Sequence, residues 1–192
     1  MERAEAMMIA DEIFDLYLQH GQSDYIGEPV SQLEHMLQSA QIAEKEGYDG
    51  DFVLAAFFHD IGHLCEHIRP AEKMEDVGVV DHETIGMMYL LGKGFSRRVA
   101  KLVGGHVEAK RFLSYRDSGY YERLSDASRK TLEFQGGPMT EEEALAFESD
   151  PLFHEHIRMR LIDDAAKTKG KPVPDLDKYW NMAVEHLISR NS

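Results

Sequence analysis

An all-α fold is expected from three features of the sequence. Apolar residues recur at the three-and-four spacing that gives a helix one buried face, as in Met8, Ile9, Ile13, Phe14 and Leu16. Two capping boxes, Ser31 with Glu34 and Thr140 with Glu143, mark helix starts. No segment alternates apolar and polar residues over the length a strand needs. The 192 residues suit one domain with a continuous core.

Taken in order, a first helix covers about 5–19 and stops at Gly21. The loop GQSDYIGEPV follows, punctuated by two glycines and a proline. Ser31 opens a second helix that runs to Gly47. Residues 51–64, DFVLAAFFHDIGHL, form the most apolar stretch and read as one helix buried on most of its sides. Residues 66–80 look irregular. A helix over 81–91 ends in the turn of Gly92 and Gly94, and Ser96 caps another that meets Gly104-Gly105 before His106. Residues 114–139 read as a polar and aromatic connection closed by Gly136-Gly137-Pro138. Helices over 140–149, 151–168 and 175–189 complete the chain.

Composition excludes several roles. The formal net charge is −14, from 35 acidic against 21 basic residues, a field that repels nucleic-acid phosphates. A small anion is still compatible, because a few cations inside a pocket reverse the local potential. The single cysteine, Cys65, permits no intramolecular disulfide and no cysteine-rich zinc site, and it reads as a core residue. No segment reaches the roughly 20 apolar residues of a membrane span. The acidic, amphipathic start lacks the features of a secretion signal, so the expected location is the cytoplasm, with no membrane or nucleic-acid partner.

The chemistry centres on His59-Asp60-Ile61-Gly62-His63, at the end of the apolar run. Burying an ionisable Asp beside a His costs several kcal/mol unless a partner or a metal compensates. If the helix continues, His59 and His63 share a face, while Asp60 points about 100° away. Asp60 has two oxygens and can bridge two ions. Intervals of 24, 23 and 24 residues separate His35, His59, His82 and His106, which suggests one inward-pointing ligand per successive helix of a bundle. Imidazole and carboxylate donors suit iron, manganese or zinc without choosing among them. His20, His67, His154, His156 and His186 read as surface or hydrogen-bonded histidines.

The ordered His…His-Asp…His…His…Asp pattern resembles the HD-domain superfamily of helical metal enzymes, and implies a single HD domain over 1–192. Its core would span about 31–168, with helices 5–19 and 175–189 packed on it. Most members are phosphohydrolases; a smaller branch activates dioxygen with two irons. Asp24-Tyr25-Ile26-Gly27-Glu28, the run from Gly104 to Arg111, the run from Ser125 to Glu133 and Gln135-Gly136-Gly137-Pro138-Met139 are similar to the PhnZ-like phosphonate oxygenases of that branch. This resemblance implies two irons in mixed Fe(II)/Fe(III) valence, with dioxygen as co-substrate. His35, His59 and Asp163 would ligate one iron, His82 and His106 the other, and Asp60 would bridge them. Asp164, next in sequence, is the alternative to Asp163.

The same resemblance implies that Tyr25 occupies an iron position until substrate displaces it, and that Glu28 meets the substrate amine. His63, Lys110, Ser128, Thr131 and Arg160 would hold the phosphonate. Cations and hydroxyls suit a phosphonate dianion, and a carboxylate with an aromatic face suits an ammonium. Spacing alone favours a plainer reading, with Ser128 and Thr131 as helix caps and Lys110 and Arg160 solvated. The implied reaction is oxidative C–P cleavage of a 1-hydroxy-2-(amino or trimethylammonio)ethylphosphonate, giving phosphate and glycine or glycine betaine. Leu64, Glu66, Met74, Val80 and Asp81 stand where the chain departs from the PhnZ-like pattern and are candidates for shaping the nitrogen end. The rival readings are an HD-type phosphohydrolase of a small phosphomonoester or nucleotide, and a regulatory HD module, which typically lacks ligands.

Overall fold

The structure is a computed structural model that describes residues 1–25, 27–68, 70, 72–75 and 78–189; Ile26 of the Tyr25 motif lies outside them. Among the described residues there are twelve α-helices and no strand beyond two isolated antiparallel bridges, so the fold is all-α. No helix is long and apolar enough to cross a membrane.

Helix α1 (Arg3–His20) packs against the last helix, and Ser31 caps α2 (Gln32–Lys45) with the expected box. Ser31 Oγ accepts from the Glu34 amide at 3.2 Å, and Glu34 Oε2 accepts from the Ser31 amide at 2.8 Å. The apolar run does not form one helix. Asp49, not Asp51, caps α3 (Gly50–Phe58), and the backbone breaks at Asp60 (φ −103°, ψ 12°) before α4 (Ile61–Leu64) and a 3-10 turn, Cys65–His67. Helices α5 (His82–Gly92) and α6 (Arg97–Gly104) follow, the second capped by Ser96.

The supposed connection 114–139 is mostly helical. It holds the end of α7 (His106–Arg116), then α8 (Ser118–Arg123) and α9 (Asp126–Phe134), started by Asp117 and Ser125. Helix α10 (Glu141–Glu148) has its predicted capping box, and α11 (Phe153–Ala165) and α12 (Leu176–Ser189) close the chain.

Helix α3 lies at the centre, in contact with α2, α6, α11 and α12. All residues from Phe52 to Phe58 are buried. Phe57 stacks on Tyr179 at 5.0 Å and lies 4.8 Å from Tyr17 and 5.4 Å from Phe14, so one ring ties α1 and α12 to α3. Full burial of such a side chain contributes about 1.5–3 kcal/mol. A smaller cluster of Ala109, Phe112, Met139, Ala144 and Phe147 fastens α10 to α7. This frame fixes the ends of α3, α5 and α7, where the polar residues gather.

Candidate metal centre and cavity

The break after α3 aims neighbouring side chains apart. His59 turns toward His35 on α2, and His63 turns toward His82. His59 and His63 therefore do not share one site, contrary to what a continuous helix implies. Three of the four spaced histidines sit at helix ends: His59 follows α3, His82 begins α5 and His106 begins α7. Asp81, in the left-handed region at φ 53°, turns the chain into α5. Gly62 permits the close approach there, since a Cβ on it would lie 1.9 Å from the His82 carbonyl oxygen.

His35 Nε2 and His59 Nε2 are 3.0 Å apart, as are His82 Nε2 and His106 Nε2. The Nδ1 atoms of His35, His59 and His106 face the carbonyls of Ala166, Ala56 and Val103 at 3.0, 2.9 and 2.7 Å, which places their protons on Nδ1. In the neutral rings their Nε2 lone pairs then face inward. Two lone pairs aimed at each other repel unless a cation lies between them. Ligands bound at about 2.0–2.2 Å place neighbouring donor atoms about 3 Å apart, so the spacing fits a metal.

Two carboxylates complete the set. Asp60 Oδ2 lies 3.3 Å from His59 Nε2 and 3.6 Å from His35 Nε2, while Asp60 Oδ1 lies 3.3 and 3.4 Å from His82 and His106 Nε2. Asp163 Oδ1 is 3.3 Å from His35 Nε2. Both Asp60 Oδ2 and Asp163 Oδ1 are buried without a hydrogen-bond partner, as a pair of unused ligand atoms would be. Burial opposes ionisation of Asp60, yet His59, His106 and His82 hold its carboxyl well below the usual range. Burial likewise opposes Asp163, and Arg160, His35 and His59 outweigh it. Burial also disfavours a proton on His59, but the neighbouring Asp60 and Asp163 raise its pKa to about 9, so this end of the site attracts positive charge.

Ligand spacing alone groups His35, His59 and Asp163, and also Asp60, His63 and His82. His63 is the weaker donor in that second group. Its Nδ1 accepts the Val79 amide at 3.1 Å, its ring is stacked on His82 at 4.1 Å, and burial pushes its pKa down to about 3. It is a neutral ring with its proton on Nε2, whereas His106 presents a lone pair. Asp164 is turned away from the histidines onto Arg160 and the Tyr120 hydroxyl, the latter at 2.7 Å.

A cavity of about 50 Å³ opens beside these groups, lined among others by Tyr25, Glu28, Asp60, His63, His82, His106, Lys110, Ser128, Thr131, Arg160 and Asp163. Lys110 and Arg160 are not solvated: they are 2% and 4% exposed. Ser128 and Thr131 do not cap a helix, a role that Ser125 fills. Lys110 Nζ donates to Thr131 Oγ1 at 2.9 Å; burial, and then the charge of Arg160, pull its pKa down to about 7. Arg160 lines the cavity, but its guanidinium is engaged by Asp163 Oδ2 at 2.8 Å, the Tyr120 hydroxyl at 3.0 Å and Asp164. The Tyr25 ring stacks on His35 at 4.1 Å; burial and the carboxylates of Asp60 and Asp163 keep its phenol protonated.

Of the five residues singled out between 64 and 81, only Met74 reaches the cavity. Leu64 is in the core, and Glu66 pairs with Lys73 at 2.6 Å. Lys167, whose place after Asp163 marks Asp163 rather than Asp164 as the family's ligand position, also lines the cavity, as do Val107, Ala127 and Gln135 from the segments that resemble the phosphonate oxygenases; none of the four was expected to touch substrate.

The family profile described as the HD domain matches residues 33–153. An uncharacterised protein of Acanthamoeba polyphaga mimivirus is 46% identical over 91% of this chain and 80% of its own length. The glycine-betaine-forming dioxygenase of 1-hydroxy-2-(trimethylamino)ethylphosphonate from Leisingera caerulea is 36% identical over 95% of this chain and 92% of its own. A hydroxymethylphosphonate dioxygenase of Gimesia maris is 39% identical over 87% and 82%.

Proposed function

The chain belongs to the HD-domain family, and we propose that it is a diiron enzyme that uses dioxygen to cleave the C–P bond of a small 1-hydroxyphosphonate. His35, His59 and Asp163 would hold one iron and His82 and His106 the other, with Asp60 between them. Bound irons in mixed Fe(II)/Fe(III) valence would supply the activation of dioxygen. The observation that carries the reading is the junction of two facing imidazole pairs through Asp60, beside a wall of buried cation and hydroxyl groups.

The chain's own residues bind and orient. Lys110 and the Ser128 hydroxyl offer donors to phosphonate oxygens, Thr131, whose own hydroxyl donates to the Ser128 carbonyl, holds the Lys110 ammonium in place, and neutral His63 adds a donor that carries no charge. Tyr25 covers the His35 side and must move for substrate to approach, which keeps water from the site between turnovers. Arg160 holds one oxygen of Asp163 and leaves the other directed at His35. The named relatives act on hydroxyphosphonates with very different substituents, so what their substrates share is a hydroxyl on the carbon bonded to phosphorus. Phosphate and the oxidised carbon fragment would be the products: glycine from the 2-amino compound, glycine betaine from the trimethylammonio compound.

An HD-type phosphohydrolase of a small phosphomonoester or nucleotide is the competing chemistry. The deciding experiment is anaerobic loading with iron, followed by phosphate release from 1-hydroxyphosphonates with and without dioxygen. Release that depends on dioxygen is expected. Equal release under argon would overturn the oxygenase reading.

A further inference from the structure

A second pocket, of about 370 Å³, adjoins the cavity beside the metal centre. Tyr120 and Arg123 line it from α8, Leu124 just after that helix, and Leu161 and Asp164 from α11. The two linings share only Glu28 and Lys167. The partition between them is therefore a pair of side chains, with Lys167 Nζ 2.9 Å from Glu28 Oε1. Both carboxylates of the outer pocket are already matched. Glu28 accepts from Lys167 and from the Ser125 hydroxyl, the latter at 2.6 Å, and Asp164 accepts from Arg160 and the Tyr120 hydroxyl. Arg123 is different. Its partner Asp117, at 3.1 Å, does not line the pocket, and the two side chains are 69% and 53% exposed, so the pair is weakly held. The Arg123 guanidinium is thus the cation of this pocket that an entering anion can engage.

The chain carries a formal net charge of −14, a field that opposes the approach of a phosphonate dianion. A cation at the mouth of the route offsets that field locally and raises the rate of capture. We infer that the outer pocket is the portal through which the phosphonate reaches the metal-site cavity, and that Arg123 is the residue that captures it there. This rests on the reading of the substrate as a phosphonate. From Arg123 the dianion passes the Glu28–Lys167 partition and ends at buried Lys110, so cations stand at the mouth, the partition and the end of the route. Nothing in the outer pocket holds it for long. The hydroxyls of Tyr120 and Ser125 both donate to carboxylates, and the side chains of Leu124 and Leu161 offer no polar group. The pocket is built to pass the anion inward rather than to store it.

The test reads rate constants of binding. Hydroxymethylphosphonate, as the probe, is mixed under argon with the iron-loaded enzyme, and stopped-flow absorbance of the iron centre gives kon and koff. Arg123→Glu should lower kon by roughly tenfold at low salt, and the deficit should shrink in about 0.5 M salt. Arg123→Lys, which keeps the charge, should stay close to the native rate. Leu161→Trp narrows the pocket without changing charge, so kon and koff should fall together while Kd stays within about twofold. Arg116→Glu makes the same charge change at an exposed site outside the pocket and should leave kon unchanged. A native kon in either Arg123→Glu or Leu161→Trp, or an equal fall in Arg116→Glu, overturns the portal and leaves C–P cleavage standing. Phosphate release that does not depend on dioxygen overturns C–P cleavage instead, and the kon values still decide the portal.

Discussion

Asp60 touches both imidazole pairs with different oxygens: Oδ2 faces His59 at 3.3 Å and Oδ1 faces His82 at 3.3 Å. The two halves of the centre are thus joined through one carboxylate, and removing that carboxylate is not equivalent to removing a histidine. Asp60→Ala should lose both ions, whereas His106→Ala should lose one. Metal content by plasma emission spectrometry on folded variants checks this, and an Asp60→Ala protein with full metal content would contradict the bridging role.

Lys110 makes anion binding depend on pH. Its free-enzyme pKa is near 7, pulled down by burial and by Arg160, and a bound dianion would favour the protonated form. Above pH 7 substrate binding must therefore take up a proton, and affinity should fall by up to about tenfold per pH unit. Lys110→Met should flatten the profile and weaken binding while metal content holds. For folding the sign is opposite to that of a salt bridge. The penalty for burying the ammonium is full below pH 7 and is relieved as the pH rises toward 10.5, the value of a free lysine. Calorimetry in buffers of different ionisation enthalpy would count the proton; no uptake at pH 8 counts against the role.

Arg160 reads as a positioning residue for Asp163. Arg160→Lys keeps a charge but cannot hold Asp163, Asp164 and Tyr120 together. Metal affinity at the His35–His59 end should drop by roughly 10–100-fold. Chelator competition measures it, and an unchanged affinity would return Arg160 to a substrate role alone.

Gly62 tests the close approach of α4 to α5. Gly62→Ala places a methyl group against the His82 backbone, which cannot swing aside as a long side chain can. A loss of about 1–3 kcal/mol in denaturant unfolding is expected. Weaker metal binding at the His82–His106 end should accompany it. Native stability in this variant would mean that the contact relaxes freely.

What was legible in the sequence is the part carried by local chemistry. Ser31 with Glu34 and Thr140 with Glu143 set their helices as hydrogen-bonding rules require. Evenly spaced His35, His59, His82 and His106 did converge, though three of them by standing at helix ends. The break at Asp60 was hidden because Phe57, Phe58 and Ile61 are apolar on either reading, so periodicity carries no information there. Helices α8 and α9 were missed because their surface is charged and their burial comes from a small cluster of Tyr120, Leu124 and Leu132. Burial of Lys110 and Arg160 was equally invisible, since distant residues, Thr131 and Asp163 among them, supply the partners that make it tolerable.

The ligand-bearing positions span 35 to 163 and come from five different helical segments, in a chain whose single cysteine is buried. Two ions seated there would act as cross-links, closing loops that no disulfide closes and removing chain entropy from the unfolded state. The heat tolerance of this protein would then be set partly by metal supply. Scarcity of the ion would lower the amount of folded protein as well as its turnover.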